Sequence, residues 1–424
     1  MQNSVFVLDT NKQPLSPCRP SVARKLLRDE KAAVYRRFPF TLILKRAVEL
    51  AEPVKPITVK VDPGSKTTGI ALVQSGKVIF AAELTHRGQA IKDALESRRA
   101  IRRGRRQRNT RYRKPRFLNR TRPKGWLAPS LQSRVNNLQT WLVRFVKLCN
   151  VQAISMELVR FDTQLMQDAE VSGVEYQQGE LAGYEVREYL LEKFNRKCCY
   201  CGKTDIPLEI EHITPKSRGG SNRVSNLCLA CHPCNQRKGN QTATEFGFPS
   251  IQAQAKKPLK DASAVNSVRW AIWRMFDASG LPVEVGTGGR TKFNRTAQGY
   301  PKAHWIDAAC VGASGQAVKL CPTIKPLAIK AVGRQSRQMC RPDKYGFPRT
   351  GAKESRVVKG FQTGDIVRAF VPSGKKQGMH TGRVSVRSTG SFNIGKVQGI
   401  GWKYCRILHR SDGYSFSSSA LALG

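Results

Sequence analysis

The stretch Ile57-Thr58-Val59-Lys60-Val61-Asp62-Pro63-Gly64-Ser65 alternates apolar and polar residues and then breaks at Pro-Gly. That is the pattern of a strand ending in a carboxylate. Gly69 to Gln74 and Lys77 to Leu84 supply two more strands around the turn Ser75-Gly76, so three consecutive antiparallel strands open a sheet. Downstream, Ser130–Cys149 reads as an amphipathic helix with Leu131, Val135, Leu138, Leu142, Phe145, Val146 and Cys149 on one stripe. It feeds Val151-Gln152-Ala153-Ile154-Ser155-Met156-Glu157, a buried strand that also ends in a carboxylate. Within a helix over Lys302–Ala313, His304-Trp305-Ile306-Asp307 sets a His and an acid on one face. Taken singly, a strand-end Asp is more often a turn former than a ligand. Taken together, a β-β-β-α-β frame with Asp62, Glu157 and Asp307 at its ends describes a mixed sheet able to hold two Mg²⁺ ions about 4 Å apart. His304 would orient or deprotonate a nucleophile there.

The 424 residues carry 73 Lys+Arg against 30 Asp+Glu, a net charge of +43. Such a charge repels itself unless a polyanion neutralises it, and the natural polyanion is nucleic acid. Hydrophobic residues make up 40%, which excludes a wholly disordered basic tail. No run of apolar residues is long enough to span a membrane, and the first residues lack the basic-then-apolar order of a signal peptide. A cytoplasmic location is expected. From Arg98 to Lys124 there are 14 Lys/Arg and no acid. Few helix breakers occur over Ser97–Arg113, yet no acids offer i,i+4 relief. Such a helix is stable beside phosphates, gripped through Arg98, Arg99, Arg102, Arg103, Arg105, Arg106, Arg108, Arg111 and Arg113.

Six of the twelve cysteines fall between Cys198 and Cys234. Clustering of this kind in a long basic chain reads as metal binding in a reducing compartment rather than a disulfide framework. Cys198-Cys199-Tyr200-Cys201 and Cys231-His232-Pro233-Cys234 are two C-x-x-C knuckles. Two knuckles give an all-thiolate tetrahedron with no open position, a structural zinc site on Cys198, Cys201, Cys231 and Cys234. Cys199 and Cys228 are expected to be bystanders, and His232 to face solvent or phosphate. Between the knuckles runs Leu208-Glu209-Ile210-Glu211-His212-Ile213, and Asn235 follows the last cysteine. Glu211 and Asn235 offer oxygen donors to one Mg²⁺, and neutral His212 would take a proton from an attacking water.

Residues from about 195 to 245 resemble the HNH nuclease family of ββα-metal type. The resemblance implies a general base at His212, metal ligation at Glu211 and Asn235, and a scaffolding role for Asn226. Val59 to Gly69, Ile154 to Glu157 and His304 to Ala309 are similar to the three motifs of the ribonuclease-H-like fold in its RuvC version. With an arginine-rich helix after the first motif and an HNH unit after the second, the chain resembles the IscB family of compact, transposon-encoded relatives of type II CRISPR effectors. Pro14-Leu15-Ser16-Pro17 stands where that family has Pro-Leu-Met-Pro.

The resemblance implies an α/β and α+β multidomain chain. Its parts are an N-terminal α/β domain (1–52), RuvC part I (53–88), bridge helix (89–124), RuvC part II (125–180), HNH domain (181–250), RuvC part III (251–320) and a C-terminal β-barrel-like domain (321–424). It further implies a monomeric ribonucleoprotein with a guide RNA of structured scaffold. HNH would cut the target strand of double-stranded DNA beside a short adjacent motif, and RuvC the non-target strand. Two alternatives stand beside it: a protein-only RuvC/HNH nuclease and a non-catalytic RNA-binding zinc protein.

Overall fold

The computed structural model describes residues 3–48, 54–108, 125–158, 182–220, 224–255, 262–321, 324–333, 343–345, 347–349, 351 and 354–418. The chain opens with β1 (Val5–Leu8), β2 (Pro14–Cys18), α1 (Pro20–Arg28), β3 (Ala32–Arg36) and β4 (Thr41–Leu44), which form a sheet of order β2-β1-β4-β3. This segment combines strands and a helix, but the unit is not self-contained. Strands of four or five residues bury little apolar surface of their own. Phe6 therefore packs 5.3 Å from Phe80 and 6.3 Å from Phe145, joining the central core.

The central sheet begins with β5 (Ile57–Asp62), β6 (Thr67–Gln74) and β7 (Lys77–Thr85). α2 (Gly88–Arg106) and α3 (Pro129–Leu148) follow, then β8 (Val151–Glu157). Proline at the first turn of α3 suits a helix start, and Val135, Leu138, Trp141, Leu142, Phe145 and Leu148 form its buried stripe. Val146, placed on that stripe by sequence, is exposed. After β8 come α4 (Ala182–Lys193), β9 (Leu208–His212), β10 (Leu227–Cys231), α5 (His232–Lys238), α6 (Pro249–Ala255) and α7 (Ala262–Asp277). β11 (Val283–Gly286), α8 (Gly288–Ala297) and α9 (His304–Ala309) complete the middle of the chain. The seven-stranded sheet runs β11-β8-β5-β6-β7-β12-β20, with β12 at Leu327–Ala331 and β20 at Tyr414–Ser418. β5 is antiparallel to β6 and parallel to β8, and β8 is parallel to β11.

The C-terminal region departs from the barrel-like unit expected over 321–424. β12 adds parallel to β7 and β20 adds antiparallel to β12, so both ends of this region belong to the central sheet. Ile329, Ala331 and Tyr414 are buried in that core, which accounts for the join. Between them lie a small hairpin, β13 (Val357–Val358) with β14 (Phe361–Gln362), and five further strands. These are β15 (Ile366–Val371), β16 (Gly378–Ser385), β17 (Ser391–Ile394), β18 (Val397–Gly401) and β19 (Cys405–His409). Their order β18-β17-β16-β15-β19 is an open sheet among the described residues, packed through Val367, Ala369, Phe392 and Ile400.

The arginine-rich helix also differs in its limits. α2 starts at Gly88 because Gln89 to Glu96 are helix-compatible residues, and it ends at Arg106 with Gln107 as its cap. Arg111 and Arg113 lie outside the described residues. No described helix is long and apolar enough to cross a membrane.

Candidate functional site

Asp62 and Glu157 are the last residues of β5 and β8. The strands are parallel with Val61 opposite Met156, so the two carboxylates end neighbouring strands on one side of the sheet. Gly69 pairs with Asp62 from β6, and α9 lies against it so closely that a Cβ on Gly69 would come within 1.8 Å of the His304 carbonyl oxygen. That approach carries Asp307, one turn further along α9, to the same place. Burial lifts the Asp307 carboxyl above its usual range; Arg295 opposes this, and the charge of Glu157 adds to it. His304 sits exposed at the start of α9.

Each inner carboxylate is met by an arginine from a covering helix. Arg269 of α7 places Nη2 3.1 Å from Glu157 Oε1 and donates through Nε to the Pro63 carbonyl at 3.4 Å. Arg295 of α8 brings Nε within 2.9 Å of Asp307 Oδ1. That Nε nonetheless lacks a hydrogen-bond acceptor, so its N–H is misaligned and the contact is one of charge. Among the described residues, the three carboxylates are not gathered as a set with all ligand atoms within 4.8 Å; the four zinc-type cysteines are.

Beneath the carboxylates, on the same sheet face, lies a second polar row that sequence reading missed. Lys60 Nζ donates to the Val311 carbonyl at 2.8 Å and to Ser314 Oγ at 2.6 Å. Glu284 accepts from Ser155 Oγ at 2.5 Å, from Ser314 N at 2.9 Å and from Ser314 Oγ. Burial pushes Lys60 down to about 8, against the pull of Glu284. Alternation hid it: Lys60 falls on the polar phase of β5, where a solvent-facing side chain is expected.

Cys198, Cys201, Cys231 and Cys234 bring their Sγ atoms within 4.8 Å of one another, with Cys201 and Cys231 3.7 Å apart. Zinc–sulfur bonds of about 2.3 Å in a tetrahedron set sulfur atoms about 3.8 Å apart, so the donor set fits zinc. Burial opposes ionisation of Cys198, but backbone N–H donors near Cys201, Cys231 and Tyr200 outweigh it and bring its thiol down to about 7. Cys199 and Cys228 stand outside the cluster.

β9, β10 and α5 form a ββα unit directly attached to this cluster. Asn226 clamps Thr214 at both backbone groups, at 2.9 Å each, and so fixes the chain leaving His212. Glu211 and Asn235, expected as ligands of one cation, bond to different side chains in the structure. Lys238, fully buried, donates to Glu211 Oε1 at 2.5 Å and to the His212 carbonyl at 2.8 Å. Asn235 instead donates to Glu209 Oε2 at 2.7 Å, and His232 lies 2.9 Å from Glu209 Oε1. The reason is register. Glu209 and Glu211 share one face of β9, and Asn235 and Lys238 share one face of α5, so the helix residues meet the two acids in turn. Lys238 and Glu209 were not singled out from sequence.

On α2, Arg98, Arg99, Arg102, Arg103, Arg105 and Arg106 are exposed. Arg108 is not offered to solvent in the same way: its guanidinium lies 4.3 Å from the Phe347 ring centroid and donates to the Tyr345 carbonyl.

Residues 5–179 match the family described as RRXRR protein, and Arg102-Arg103-Gly104-Arg105-Arg106 spells that pattern. Residues 198–249 match a family described as HNH endonuclease. No curated protein matches the chain. Among solved structures, Streptococcus thermophilus Cas9 in complex with the GGAA PAM is similar at 13% identity and a TM-score of 0.24, covering 61% of this chain and 32% of that one. The type II-C Cas9 of Actinomyces naeslundii is similar at 16% identity and a TM-score of 0.16, covering 50% and 33%. The chain thus spans about a third of the length of the Cas9 proteins it matches. The two family matches together support a nuclease of the RuvC/HNH type.

Proposed function

We propose that this protein is an RNA-guided DNA endonuclease with two cutting centres. The observation that carries the reading is one of order. A zinc-stapled ββα unit bearing Glu211 and His212 is inserted between β8 and β11 of a sheet whose neighbouring strands end in Glu157 and Asp62. The strand order β11-β8-β5-β6-β7, antiparallel only at β6, supports a ribonuclease-H-like sheet in its RuvC version. Exposed arginines on α2 and the +43 charge support a bound polyanion. The IscB resemblance makes that polyanion a guide RNA.

In the inserted unit, His212 would accept the proton of the attacking water, held in place by the Asn226 clamp on the residues that follow it. Glu211 and Asn235, with Glu209 beside them, are oxygen donors suited to a hard cation. Lys238 holds the Glu211 carboxylate until such an ion competes for it. At the sheet centre, Asp62, Glu157 and Asp307 would hold the divalent ions. The charge of Glu157 adds to the lift on the Asp307 carboxyl, a repulsion that a cation held here would relieve. Mg²⁺ bound at either place would stabilise charge gathering on the scissile phosphate. His304, exposed beside Asp307, would orient or deprotonate the nucleophile.

The test is copurification. The native protein is expected to carry a defined RNA, and RNase treatment is expected to abolish sequence-directed DNA cleavage. Cleavage that survives complete RNA removal would reject the guide and leave a protein-only nuclease.

A further inference from the structure

Beyond β12, Tyr345 and Phe347 hold two large rings out to solvent, 56% and 53% exposed. One carboxylate builds the turn that carries them. Asp343 Oδ1 accepts from Tyr345 N at 2.9 Å and from Phe347 N at 2.8 Å, and Asp343 N donates to the Phe347 carbonyl at 2.8 Å. The backbone is thus satisfied within the turn, which leaves the rings free for another partner. Arg108, just past the end of α2, steadies them. Its guanidinium lies 4.3 Å from the Phe347 centroid and 5.7 Å from that of Tyr345, and it donates to the Tyr345 carbonyl. Lys344 Nζ stands 4.9 Å from the Tyr345 centroid. A cation over one face holds a ring in its plane, and exposure above half leaves the opposite face open.

Charge says what covers these faces. From residue 334 to 349 the sequence carries Arg334, Arg337, Arg341, Lys344 and Arg349 against the single acid Asp343, whose Oδ1 is engaged by the turn. Arg105 and Arg106 are exposed at the adjoining end of α2. An apolar protein face laid here would strip water from these cations without repaying them. A nucleic-acid strand brings a phosphate to the cations and a π-face to each ring. We propose that Tyr345 and Phe347 form a stacking platform for unpaired bases of the bound RNA, set at the end of the arginine helix. This rests on the reading of the polyanion as RNA. The platform grips bases while the helix grips backbone, so it holds a single-stranded stretch and passes over paired ones.

The test uses the full chain, freed of carried RNA by RNase, and three probes of about 12 nucleotides, within the span of one single-strand site. These are oligoadenylate, the same ribose-phosphate strand without bases, and oligodeoxyadenylate. Native protein is expected to bind oligoadenylate more tightly than the abasic strand. Phe347→Leu, which keeps apolar bulk but loses the π-face, should weaken oligoadenylate about tenfold, and Tyr345→Leu likewise. Neither should change affinity for the abasic strand, and Phe347→Tyr should bind as native protein does. The rings are more than half exposed, so these replacements leave the core intact, and the abasic affinity serves as the check on folding. Unchanged oligoadenylate affinity in both Leu variants overturns the proposal, and so does an equal loss on the abasic strand, which would mean that the rings serve the fold. Tighter ring-dependent binding of oligodeoxyadenylate would give the platform to a DNA strand and overturn it too. Native protein that binds none of the three rejects the polyanion reading itself, and the proposal with it.

Discussion

His86 shows what a single side chain contributes that sequence pattern does not announce. Its Nε2 lies 2.8 Å from Thr68 Oγ1, and Asn137 Nδ2 lies 3.3 Å from its Nδ1. Asn137 donates to Nδ1, so the neutral ring carries its proton on Nε2 and gives it to Thr68. Burial, with Arg134 adding to it, pushes His86 down to about 4. The folded value lies below the unfolded one, so the stabilisation is complete above about pH 6.5 and is lost as pH falls toward 4, up to roughly 3 kcal/mol in all. In urea titrations, His86→Gln should be less stable than native protein at pH 7 and should lose less stability between pH 6.5 and 4. Parallel pH curves would show that the ring is not held neutral. Motif residues such as Asp62 and the four cysteines were legible because strand ends and C-x-x-C spacing are local. Arg269, Arg295, Lys238 and His86 were not, because each acquires its role from a partner distant in the chain.

At the scale of elements, close approach and metal cross-linking do the positioning. The short α9 lies on β6 only because Gly69 has no side chain: a methyl there would meet the His304 carbonyl at 1.8 Å. Gly69→Ala should push α9 off the sheet and cost roughly 2 kcal/mol in urea unfolding. It should also lose sheet-centre cleavage while the zinc content stays constant. Full cleavage by this variant would mean that α9 tolerates displacement. The zinc knuckles make the opposite kind of contact, a covalent staple under a ββα unit too small to have a large core. About one equivalent of zinc should survive mild EDTA treatment, because closed four-thiolate sites release metal slowly. Cys201→Ser should lose that zinc together with the order of β9 and β10 in amide exchange. β5 was readable from alternation, β6 and β7 from the Ser75-Gly76 turn between them, and β8 as a short apolar strand ending in Glu157. β12 and β20 were not, because a strand's own sequence does not say which sheet edge it will join.

For the whole molecule, the proposed function sets two chemically different centres on one basic chain. The sheet centre is built from carboxylates on β5, β8 and α9, and the inserted unit from His212 and oxygen donors on β9 and α5. At this scale composition supports the proposed polyanion, since +43 over 424 residues repels itself whatever the fold. Binding that uses the exposed α2 arginines should weaken steeply with salt as counterions are released, and Arg102→Ala with Arg106→Ala should lower that slope. Composition says nothing, however, about which centre cuts which strand. A duplex labelled separately on each strand resolves this. His212→Ala removes a general base, so one strand should lose about 10²- to 10⁴-fold in rate while the other is cut as before. Asp62→Ala should give the mirror result, because a lost strand-end carboxylate disables the sheet centre and leaves β9 and α5 intact. Both variants should keep their zinc and their bound RNA, which separates lost chemistry from lost assembly. If either variant slows both strands equally while zinc and RNA are retained, the chain has a single cutting centre, the one which that variant removes.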